Sequence, residues 1–341
     1  MKLTVNNKPE LFQQLKNEWN ELLVRSHSNR VFSTWEWQST WWVAYHPGEL
    51  WVITCRDDAN RLIGIAPWFI DSTEQYGRVV RPIGCVEVTD YLDIIVDNDC
   101  IQPVFEALAD YVVSNKQYFD LINLCNLPES SPTYGHFADI LKQHGFEATL
   151  TQQEVCPVIN LPARWEDYFE LLDKKQRHEL RRKLRRAEAA PEKIEWYIVG
   201  EQHNLDAEID KFLHLMGSSQ YEKAKFLEDQ QNLDFFKAIV PITFQKHWLQ
   251  LSFLLINDEP AAAYLNFVYG DSVLVYNSGL SPDKYGHLSA GIILLAHNIR
   301  TAIENGYKVF DFLRGNEIYK FRMGGQETRV FMLTAKLEST T

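Results

Sequence analysis

The chain has 341 residues, of which 45% are hydrophobic, and a formal net charge of −12 at pH 7. This length predicts two domains of ordinary size, and the composition excludes an extended disordered chain. The negative charge excludes a protein that coats DNA or RNA over its whole surface, because phosphate contacts need a basic footprint.

The cysteines indicate neither a disulfide framework nor a metal site. They lie far apart, without a CxxC pair or the spacing of a zinc site: Cys55, Cys85, Cys100, Cys125 and Cys156. We expect them to be reduced and buried, and we expect no bound metal. The amino terminus lacks the apolar core of a signal peptide, and the apolar run at residues 290–296 is too short to span a bilayer. A cytoplasmic protein is therefore expected.

The first half of the chain mixes helices with strands. Apolar residues at helical spacing predict helices at about residues 10–26, 102–115 and 134–144. Strand-like runs occur at residues 50–56, 61–70, 78–84, 91–96, 119–125 and 146–151. The first two runs are joined by DDAN, which is typical of a hairpin turn. This half has an α+β pattern.

The second half has the order strand, helices, three-strand meander, helix and strand. Its predicted helices cover about residues 165–190, 205–216, 233–240 and 292–305. Its predicted strands cover residues 156–161, 193–199, 248–258, 259–270, 271–280, 307–313 and 329–337. Because the first half is a looser version of this order, we place a boundary near Gln152, which gives domains of residues 1–151 and 152–341.

A glycine-containing loop, NSGLSPDKYGHLSAG, connects the meander to the helix that follows it. Free backbone N–H groups and the helix dipole both favour an anion at such a helix start. Ser289 is the expected N-cap, and Gly279 and Gly291 are expected to leave room for a phosphate-bearing donor. An ordinary capped connection would have the same sequence and stays an alternative.

The segment DFLRGNEIYKFRMGG, residues 311–325, brings positive charge and flexible backbone together where a strand ends. Open α/β sheets bind their ligands at such strand ends. Asp311 ends the strand and Lys320 follows it closely. We therefore expect a cation, a carboxylate and a helix N-terminus to converge on one crevice.

These segments, together with FSTWEWQSTWWVAYHPG and DYLDIIV, resemble the CelD/BcsL-like acyltransferases of the GNAT superfamily, which are relatives of the Fem-type peptidyltransferases. The resemblance covers nearly the whole chain and is most specific in its C-terminal part. It implies an α+β fold of two tandem GNAT-like (acyl-CoA N-acyltransferase) domains with mixed, mainly antiparallel sheets flanked by helices. It also implies acyl-CoA as a cosubstrate and no tightly bound cofactor.

By the same resemblance, Lys320 in YKFRMGG is similar to the lysine of the FK-x-x-FGG segment in the Fem relatives, where it supports acyl transfer. One motif departs from the superfamily. The acetyl-CoA signature Q/R-x-x-G-x-G/A is not matched by DKYGHLSAG.

Acyl transfer to an amine requires a deprotonated amine, a nearby carbonyl and stabilisation of the oxyanion. Backbone N–H groups near residues 277–279 are candidates for binding the carbonyl. Four side chains in this region are candidate bases, and the sequence does not choose among them: Asp311, Tyr285, His287 and Glu317. Asp311 is also a candidate for orienting the acceptor amine or Lys320.

Residues 174–188, KKQRHELRRKLRRAE, hold eight Lys or Arg residues and two acids. Helical spacing places Arg177, Arg181 and Arg185 on one face. Three interpretations stay open. In the first, residues 174–186 contact a tRNA or, through Arg177 and Arg181, the phosphates of the donor. In the second, they lie on an anionic membrane surface, and in the third they form a solvated helix face.

Two clusters in the first half are candidates for binding the acceptor. Asp90 and Asp93 flank Tyr91 and suit an amine, although surface turn residues have the same pattern. A tryptophan-rich helix suits either a sugar ring, with Trp35 as the candidate contact, or a helix core, which is the favoured interpretation: Trp35, Trp37, Trp41 and Trp42.

The sequence thus favours an N-acyltransferase that moves an acyl group from acyl-CoA to an amine of a sugar, an amino acid, or a cell-envelope or exopolysaccharide precursor. One alternative is an aminoacyl-tRNA-dependent, Fem-like peptidyltransferase of cell-wall synthesis. Another is a non-catalytic GNAT-fold partner of a polysaccharide or membrane assembly, which the unmatched acetyl-CoA signature favours. The expected location is the cytoplasm, with the periphery of the inner membrane as the alternative.

Overall fold

The computed structural model describes residues 1–85, 88–281 and 286–337. Contacts divide the chain into two compact units, Met1–Val155 with the terminal strand from Arg329, and Cys156–Thr328. The expected second domain ran to the end of the chain. In the structure, residues 329–337 group with the first unit, because they pair with a strand of that unit.

The strands are β1 (Lys2–Asn6), β2 (Glu49–Leu50), β3 (Val52–Arg56), β4 (Leu62–Ala66), β5 (Trp68–Thr73), β6 (Gly77–Pro82), β7 (Ile95–Val96), β8 (Leu121–Pro128), β9 (Phe146–Asn160), β10 (Ile194–Ile198), β11 (Leu249–Ile256), β12 (Glu259–Tyr269), β13 (Ser272–Leu280), β14 (Val309–Asp311) and β15 (Gln326–Leu337).

The α-helices are α1 (Glu10–Val24), α2 (Trp35–Tyr45), α3 (Ile101–Ser114), α4 (Ala138–Gln143), α5 (Trp165–Leu171), α6 (Lys174–Glu188), α7 (Leu205–Ser219), α8 (Tyr221–Glu228), α9 (Gln230–Gln245), α10 (Ala290–Glu304) and α11 (Ile318–Arg322). Within the described residues, none of them is long and apolar enough to cross a membrane.

The first unit contains two groups of paired strands. One is the antiparallel sheet β1-β3-β4-β7, and the other has the order β15-β8-β6-β5-β2, in which only β6 and β8 run parallel. The predicted strand at residues 61–70 is two strands, β4 and β5, which lie in different groups. Pro67 separates them, since proline cannot donate a hydrogen bond to a sheet.

The second unit is built on strands in the order β10-β11-β12-β13-β14-β9, antiparallel except for β13 and β14. The predicted meander is β11 to β13, and its first turn places Asn257 and Asp258 at positive φ, as a tight hairpin turn requires. Helix α10 packs on one face through Asn298 against Gln250. Helix α7 meets the other face, where its backbone approaches Gly279.

Two predicted boundaries differ from the structure. The strands predicted at 146–151 and 156–161 are one strand, β9, so Gln152 lies inside it. The helix predicted at 165–190 is two helices, α5 and α6. Asp173 separates them, because its carboxylate accepts a hydrogen bond from Gln176 N at 2.9 Å and caps α6.

The expectation that all cysteines are reduced was wrong for one pair. Cys85 and Cys125 form a disulfide with their Cα atoms 6.2 Å apart. They follow the parallel pairing of β6 with β8, which brings together residues about 40 positions apart, so no local spacing signals the bond. Cys55 and Cys156 are buried and form no disulfide, and burial raises the pKa of Cys55 to about 12.

Candidate functional site

Strands β13 and β14 run parallel for only a short distance and then separate. Their pairing extends from Ser272 opposite Val309 to Leu274 opposite Asp311. β13 continues to Leu280, whereas β14 ends at Asp311. We call residues 275–280, on the side of β13 that faces away from β12, the β13 edge. Beyond Leu274, this edge is not paired with β14.

Hydrogen-bond alternation shows which backbone groups point into the β13 edge. Ser281 N donates to Ala261 O at 3.0 Å. Hydrogen-bonded pairs alternate along an antiparallel ladder, so Gly279 and Asn277, two and four residues earlier, are also hydrogen-bonded to β12. The N–H groups of Gly279 and Asn277 therefore point to β12, and the N–H group of Ser278 points away from β12, into the β13 edge. The Ser278 N–H donates to Asn277 Oδ1 at 2.8 Å, so in this arrangement all three predicted N–H donors at residues 277–279 are engaged.

Lys223 lies at this edge, and the sequence did not indicate it. Its Nζ donates to Ser278 O at 2.5 Å and to Ser278 Oγ at 3.2 Å. Its pKa is lowered to about 8, chiefly by burial; the charge of Glu317 opposes the shift and the charge of Lys320 adds to it. It lies on α8, a helix that the apolar pattern did not predict, and a lone lysine between small and polar residues carries no signal of its own.

Lys320 holds the loop that follows β14. Its side chain is 4% exposed, and its Nζ contacts three carbonyl oxygens, those of Arg314 at 2.7 Å, Gly315 at 3.3 Å and Leu313 at 3.4 Å. The Glu317 carboxylate lies 2.9 Å away. These groups occupy the donor directions of the ammonium, so in this arrangement Lys320 positions the loop 313–317 beside the β13 edge. Its part in acyl transfer stays a prediction.

Asp311 closes the turn at the end of β14. It is buried, and its Oδ1 accepts a hydrogen bond from Leu313 N at 2.7 Å, where Leu313 has a φ of 56°. Of the other candidate bases, Glu317 pairs with Lys320, whereas Tyr285 and the side chain of His287 lie outside what the structure describes. The structure therefore brings Asp311, Glu317 and Lys320 into one region, as expected, but engages each with a neighbour.

A second feature is the N-terminus of α10. Ser289 precedes this helix with a φ of 57°, and its side chain makes no capping hydrogen bond. Instead, Ser289 Oγ accepts a hydrogen bond from Lys183 Nζ of α6 at 3.0 Å. A positive side chain thus stands at the positive end of a helix dipole, which is the combination that favours a phosphate group.

A cavity of about 210 Å³ lies between α6, α10 and α11. Its walls combine Lys183 and Arg322 with Glu179 and the aromatic ring of Tyr319. Glu179 pairs with Arg182 at 2.7 Å, and burial raises the pKa of the Tyr319 hydroxyl. The cavity therefore retains positive charge next to the α10 N-terminus.

The predicted donor glycines have packing partners. A Cβ on Gly291 would lie 2.7 Å from the Leu280 side chain, so the space expected to hold a phosphate is occupied by leucine. A Cβ on Gly279 would lie 2.6 Å from Met216 N of α7, so this glycine permits close approach of a helix to β13. Both positions border the β13 edge, but the structure explains them by packing.

The basic helix contacts the α10 N-terminus through a residue other than those predicted. Arg177 donates to Leu172 O at 3.2 Å and lies 3.4 Å from Glu170, and the Arg181 guanidinium stands 4.7 Å from the Phe169 ring. These arginines face α5. Lys183 is the residue of α6 that reaches Ser289, and only the fold could select it from a run of similar cations.

The acceptor candidates lie in the first unit. Asp93 is buried and accepts hydrogen bonds from Thr133 Oγ1 and from Ile94 N at 2.8 Å, and burial raises its pKa. Such a carboxyl fastens loops within the unit, so Asp93 is not the surface turn residue that the sequence allowed as an alternative to an acceptor contact. Asp90 is half-buried, and its part in acceptor binding stays a prediction.

The tryptophans of α2 form core, as the favoured interpretation had it. Trp37, Trp41 and Trp42 are buried. Trp35 is half-buried, and its Nε1 donates to Phe12 O at 2.6 Å while Lys16 Nζ lies 4.8 Å from its ring. Its predicted contact with a sugar remains untested. Within the part of the chain that the structure describes, no His, Cys, Asp and Glu residues form a metal-binding group.

Comparison with known proteins finds a family model for part of the chain. Residues 174–321 match the family model described as Acetyltransferase (GNAT) domain, a segment that contains α6, the β13 edge, α10 and Lys320. No curated protein sequence matches the chain.

Solved structures with low sequence identity share the fold. FemX is 12% identical, with a TM-score of 0.64 over 97% of each chain. A conserved protein of unknown function from Bacteroides thetaiotaomicron VPI-5482 is 13% identical, with a TM-score of 0.59 over 98% of this chain and 100% of the other. L-PGS from Bacillus licheniformis is 9% identical, with a TM-score of 0.56 over 100% and 96%. The chain thus has the predicted α+β fold of two GNAT-like domains, with an acetyltransferase (GNAT) domain matched in its second half.

Proposed function

We propose that the chain is an N-acyltransferase that moves an acyl group from an acyl thioester to an amine, with its reaction centre at the β13 edge. The observation that supports this most strongly is the separation of β13 from β14 inside the segment that matches the acetyltransferase domain. The separation leaves the Ser278 backbone pointing away from β12, where a half-buried lysine, Lys223, binds its carbonyl oxygen.

The residues of the second unit fit an acyl-CoA donor. The α10 N-terminus with Lys183 suits the phosphate groups of such a molecule, and the β13 edge suits an extended acyl-bearing arm. The donor supplies an activated carbonyl and a thiol leaving group. The chain contributes cations that bind the phosphates, the β13 edge that holds the acyl-bearing arm, and a loop held in place by Lys320.

The acceptor stays a proposal that rests on the resemblance to CelD/BcsL-like acyltransferases. We propose an amine on a sugar, an amino acid, or a cell-envelope or exopolysaccharide precursor. Asp90 and Trp35 of the first unit are the residues proposed to bind it, since Asp93 is buried within that unit.

A second candidate, aminoacyl transfer from a charged tRNA, is favoured by one observation. The chain shares the FemX fold along 97% of its length and carries a helix, α6, with eight basic residues among fifteen. This helix would bind a polyanion, with Lys183 nearest the α10 N-terminus.

Thermal unfolding with acetyl-CoA, longer acyl-CoAs, free CoA, and charged or uncharged tRNA tests these functions. A donor at about one hundred times its dissociation constant adds about 2.7 kcal/mol to the free energy of unfolding, which raises the unfolding temperature by a few degrees. We expect stabilisation by acyl-CoA, weakened in Lys183→Met and retained in the control Lys175→Met, which removes an exposed charge from the same helix.

The outcomes separate the candidates. Stabilisation by charged tRNA alone, with loss in Lys183→Met, would transfer the proposal to the aminoacyl-tRNA route. Absence of stabilisation by every donor would contradict both enzymes and favour the non-catalytic partner of a polysaccharide or membrane assembly.

A further inference from the structure

The second unit contains a lysine whose surroundings differ from those of an ordinary structural lysine. Lys223 of α8 is half-buried, and its Nζ lies at the β13 edge, bound to the carbonyl and the hydroxyl oxygen of Ser278. No ion pair to a carboxylate is seen for it among the described residues. Both groups that bind it are uncharged, so nothing in direct contact fixes the amine in its charged form.

The two hydrogen bonds determine where the amine points. A neutral amine has two N–H bonds and one lone pair in a tetrahedral arrangement. Ser278 O, at 2.5 Å, and Ser278 Oγ, at 3.2 Å, take the two N–H bonds. The lone pair is then directed away from Ser278. A neutral Lys223 is thereby an oriented proton acceptor at the β13 edge, where the acyl carbonyl is proposed to lie.

Two charges that face Lys223 act on its pKa in opposite directions. From the α11 region, Glu317 favours the charged amine and Lys320 disfavours it, and Glu317 is itself paired with Lys320 at 2.9 Å. β13 faces it with Ser278, which is uncharged. Burial has the largest effect on the pKa of Lys223, which is lowered to about 8. A general base with such a pKa works well near neutral pH.

We propose that Lys223 is the catalytic base of this site, taking the proton of the acceptor amine as it attacks the acyl carbonyl. This inference rests on the proposed acyl-transfer function and adds to it the residue that the sequence left open. It also explains why Asp311 and Glu317 are unsuited to the role: each carboxylate is already engaged, with Leu313 N and with Lys320.

The proton balance of the step is complete without another reactant. The neutral acceptor amine forms a C–N bond to the thioester carbonyl carbon, and Lys223 Nζ takes the proton that the nitrogen loses. The C–S bond then breaks, and the ammonium of Lys223 returns that proton to the thiolate. The products are an amide and a free thiol, and Lys223 is neutral again.

Trace labelling tests the state of the amine without any turnover. The intact protein is treated with a small amount of acetic anhydride at a series of pH values, and the acetylation of each lysine is measured by peptide mass spectrometry. We expect Lys223 to reach half of its limiting reactivity near pH 8. The exposed Lys225 of the same helix is the internal reference for reagent and accessibility. Reactivity of Lys223 that rises only where an ordinary lysine ionises, near pH 10.4, would contradict the proposal.

Acyl transfer tests the role. Release of thiol from acetyl-CoA in the presence of a panel of small amines is followed for the wild type, Lys223→Met, Lys223→Arg and the control Lys225→Met. In the wild type, kcat/KM should rise with pH through about 8. Both Lys223 variants should lose on the order of one hundred to ten thousandfold in kcat/KM. Their kcat/KM should also no longer show the rise with pH. Arginine keeps the charge and hydrogen-bonding capacity but does not become neutral, so a purely structural role would leave Lys223→Arg active.

The results distinguish the two proposals. If the wild type releases no thiol with any amine, the proposed function is wrong and the base falls with it. If the wild type is active and Lys223→Met keeps its rate and its dependence on pH, only the assignment of Lys223 is wrong. Thermal unfolding and stabilisation by acetyl-CoA show that each variant is folded and binds donor, so that a lost rate reports on the transfer step.

Discussion

Two lysines in the second unit have opposite surroundings. Lys320 is held by three carbonyl oxygens and a carboxylate. Lys223 has two uncharged partners and is shifted towards its neutral form. Neighbouring residues of one chemical type therefore serve different purposes, and only the contacts separate them.

The first prediction concerns stability and pH. The pKa of Lys223 is about 8 in the folded protein, against an ordinary value of 10.5. Between these values the unfolded chain binds more protons, so the contribution of Lys223 to the free energy of unfolding rises with pH. Below about pH 8 its charged amine is a constant cost.

Urea unfolding at several pH values measures this effect. Between pH 8 and pH 10.5 the wild type should gain on the order of 2 kcal/mol relative to Lys223→Met, which lacks the amine. The difference between the two proteins removes the contribution of the other lysines. Parallel curves for wild type and variant would show that Lys223 titrates normally.

The second prediction concerns Lys320. Lys320→Met leaves the carbonyl groups of Leu313, Arg314 and Gly315 without their donor, at a cost of about 1–3 kcal/mol in unfolding free energy. Arg322→Met removes an exposed cation from the same short helix and should change stability by less than about 0.5 kcal/mol. Equal denaturation midpoints for the two variants would show that Lys320 does not hold the loop.

At the scale of elements, the close contact between α7 and β13 sets the position of the β13 edge. Gly279→Ala would place a Cβ 2.6 Å from Met216 N, so the helix must move, at a cost of about 1–3 kcal/mol. Gly217→Ala in α7 is the matched change, because its Cβ would meet Leu227 Cδ1 at 3.5 Å, an ordinary contact. It should stabilise the helix by about 0.5 kcal/mol. Denaturant unfolding of both variants measures the two changes in stability. An unchanged free energy of unfolding in Gly279→Ala would contradict the close contact between α7 and β13.

Elements with strong apolar periodicity were predictable from the sequence, and others were not. The meander β11 to β13 and helix α10 are long, apolar and bounded by Asn-Asp or glycine turns. Helix α8 has no fully buried residue, so its sequence lacks the apolar stripe that predicts a helix. The break between α5 and α6 depends on a single capping residue, Asp173, inside a continuous helical pattern.

At the scale of the whole molecule, the disulfide makes a prediction about the first unit. Cys85 and Cys125 close a loop of 40 residues, so reduction should lower the free energy of unfolding by about 3–4 kcal/mol. Thermal unfolding with and without reductant measures the loss, and the double variant Cys85→Ser with Cys125→Ser should be insensitive to reductant. Titration of five free thiols in the denatured, unreduced protein would contradict the bond.

The fold class was predictable because it follows from the order of elements, which the sequence carries locally. The site was predictable only where its residues are neighbours in sequence, as Asp311, Glu317 and Lys320 are. Lys223 and Lys183 reach the site from distant helices, with partners 55 and 106 residues away. Contacts of that range depend on packing, and no periodicity in the sequence predicts them.

The most direct test of the account is a transfer assay with the purified chain, acyl-CoA donors and a panel of amino sugars and amino acids. The thiol released and the acylated amine formed are both quantified, the latter by mass spectrometry. The account predicts one thiol for each amide, and a rate that falls at least about one hundredfold in Lys223→Met. Thiol release that does not exceed background hydrolysis with every donor and amine would contradict the assignment of this chain as an acyltransferase.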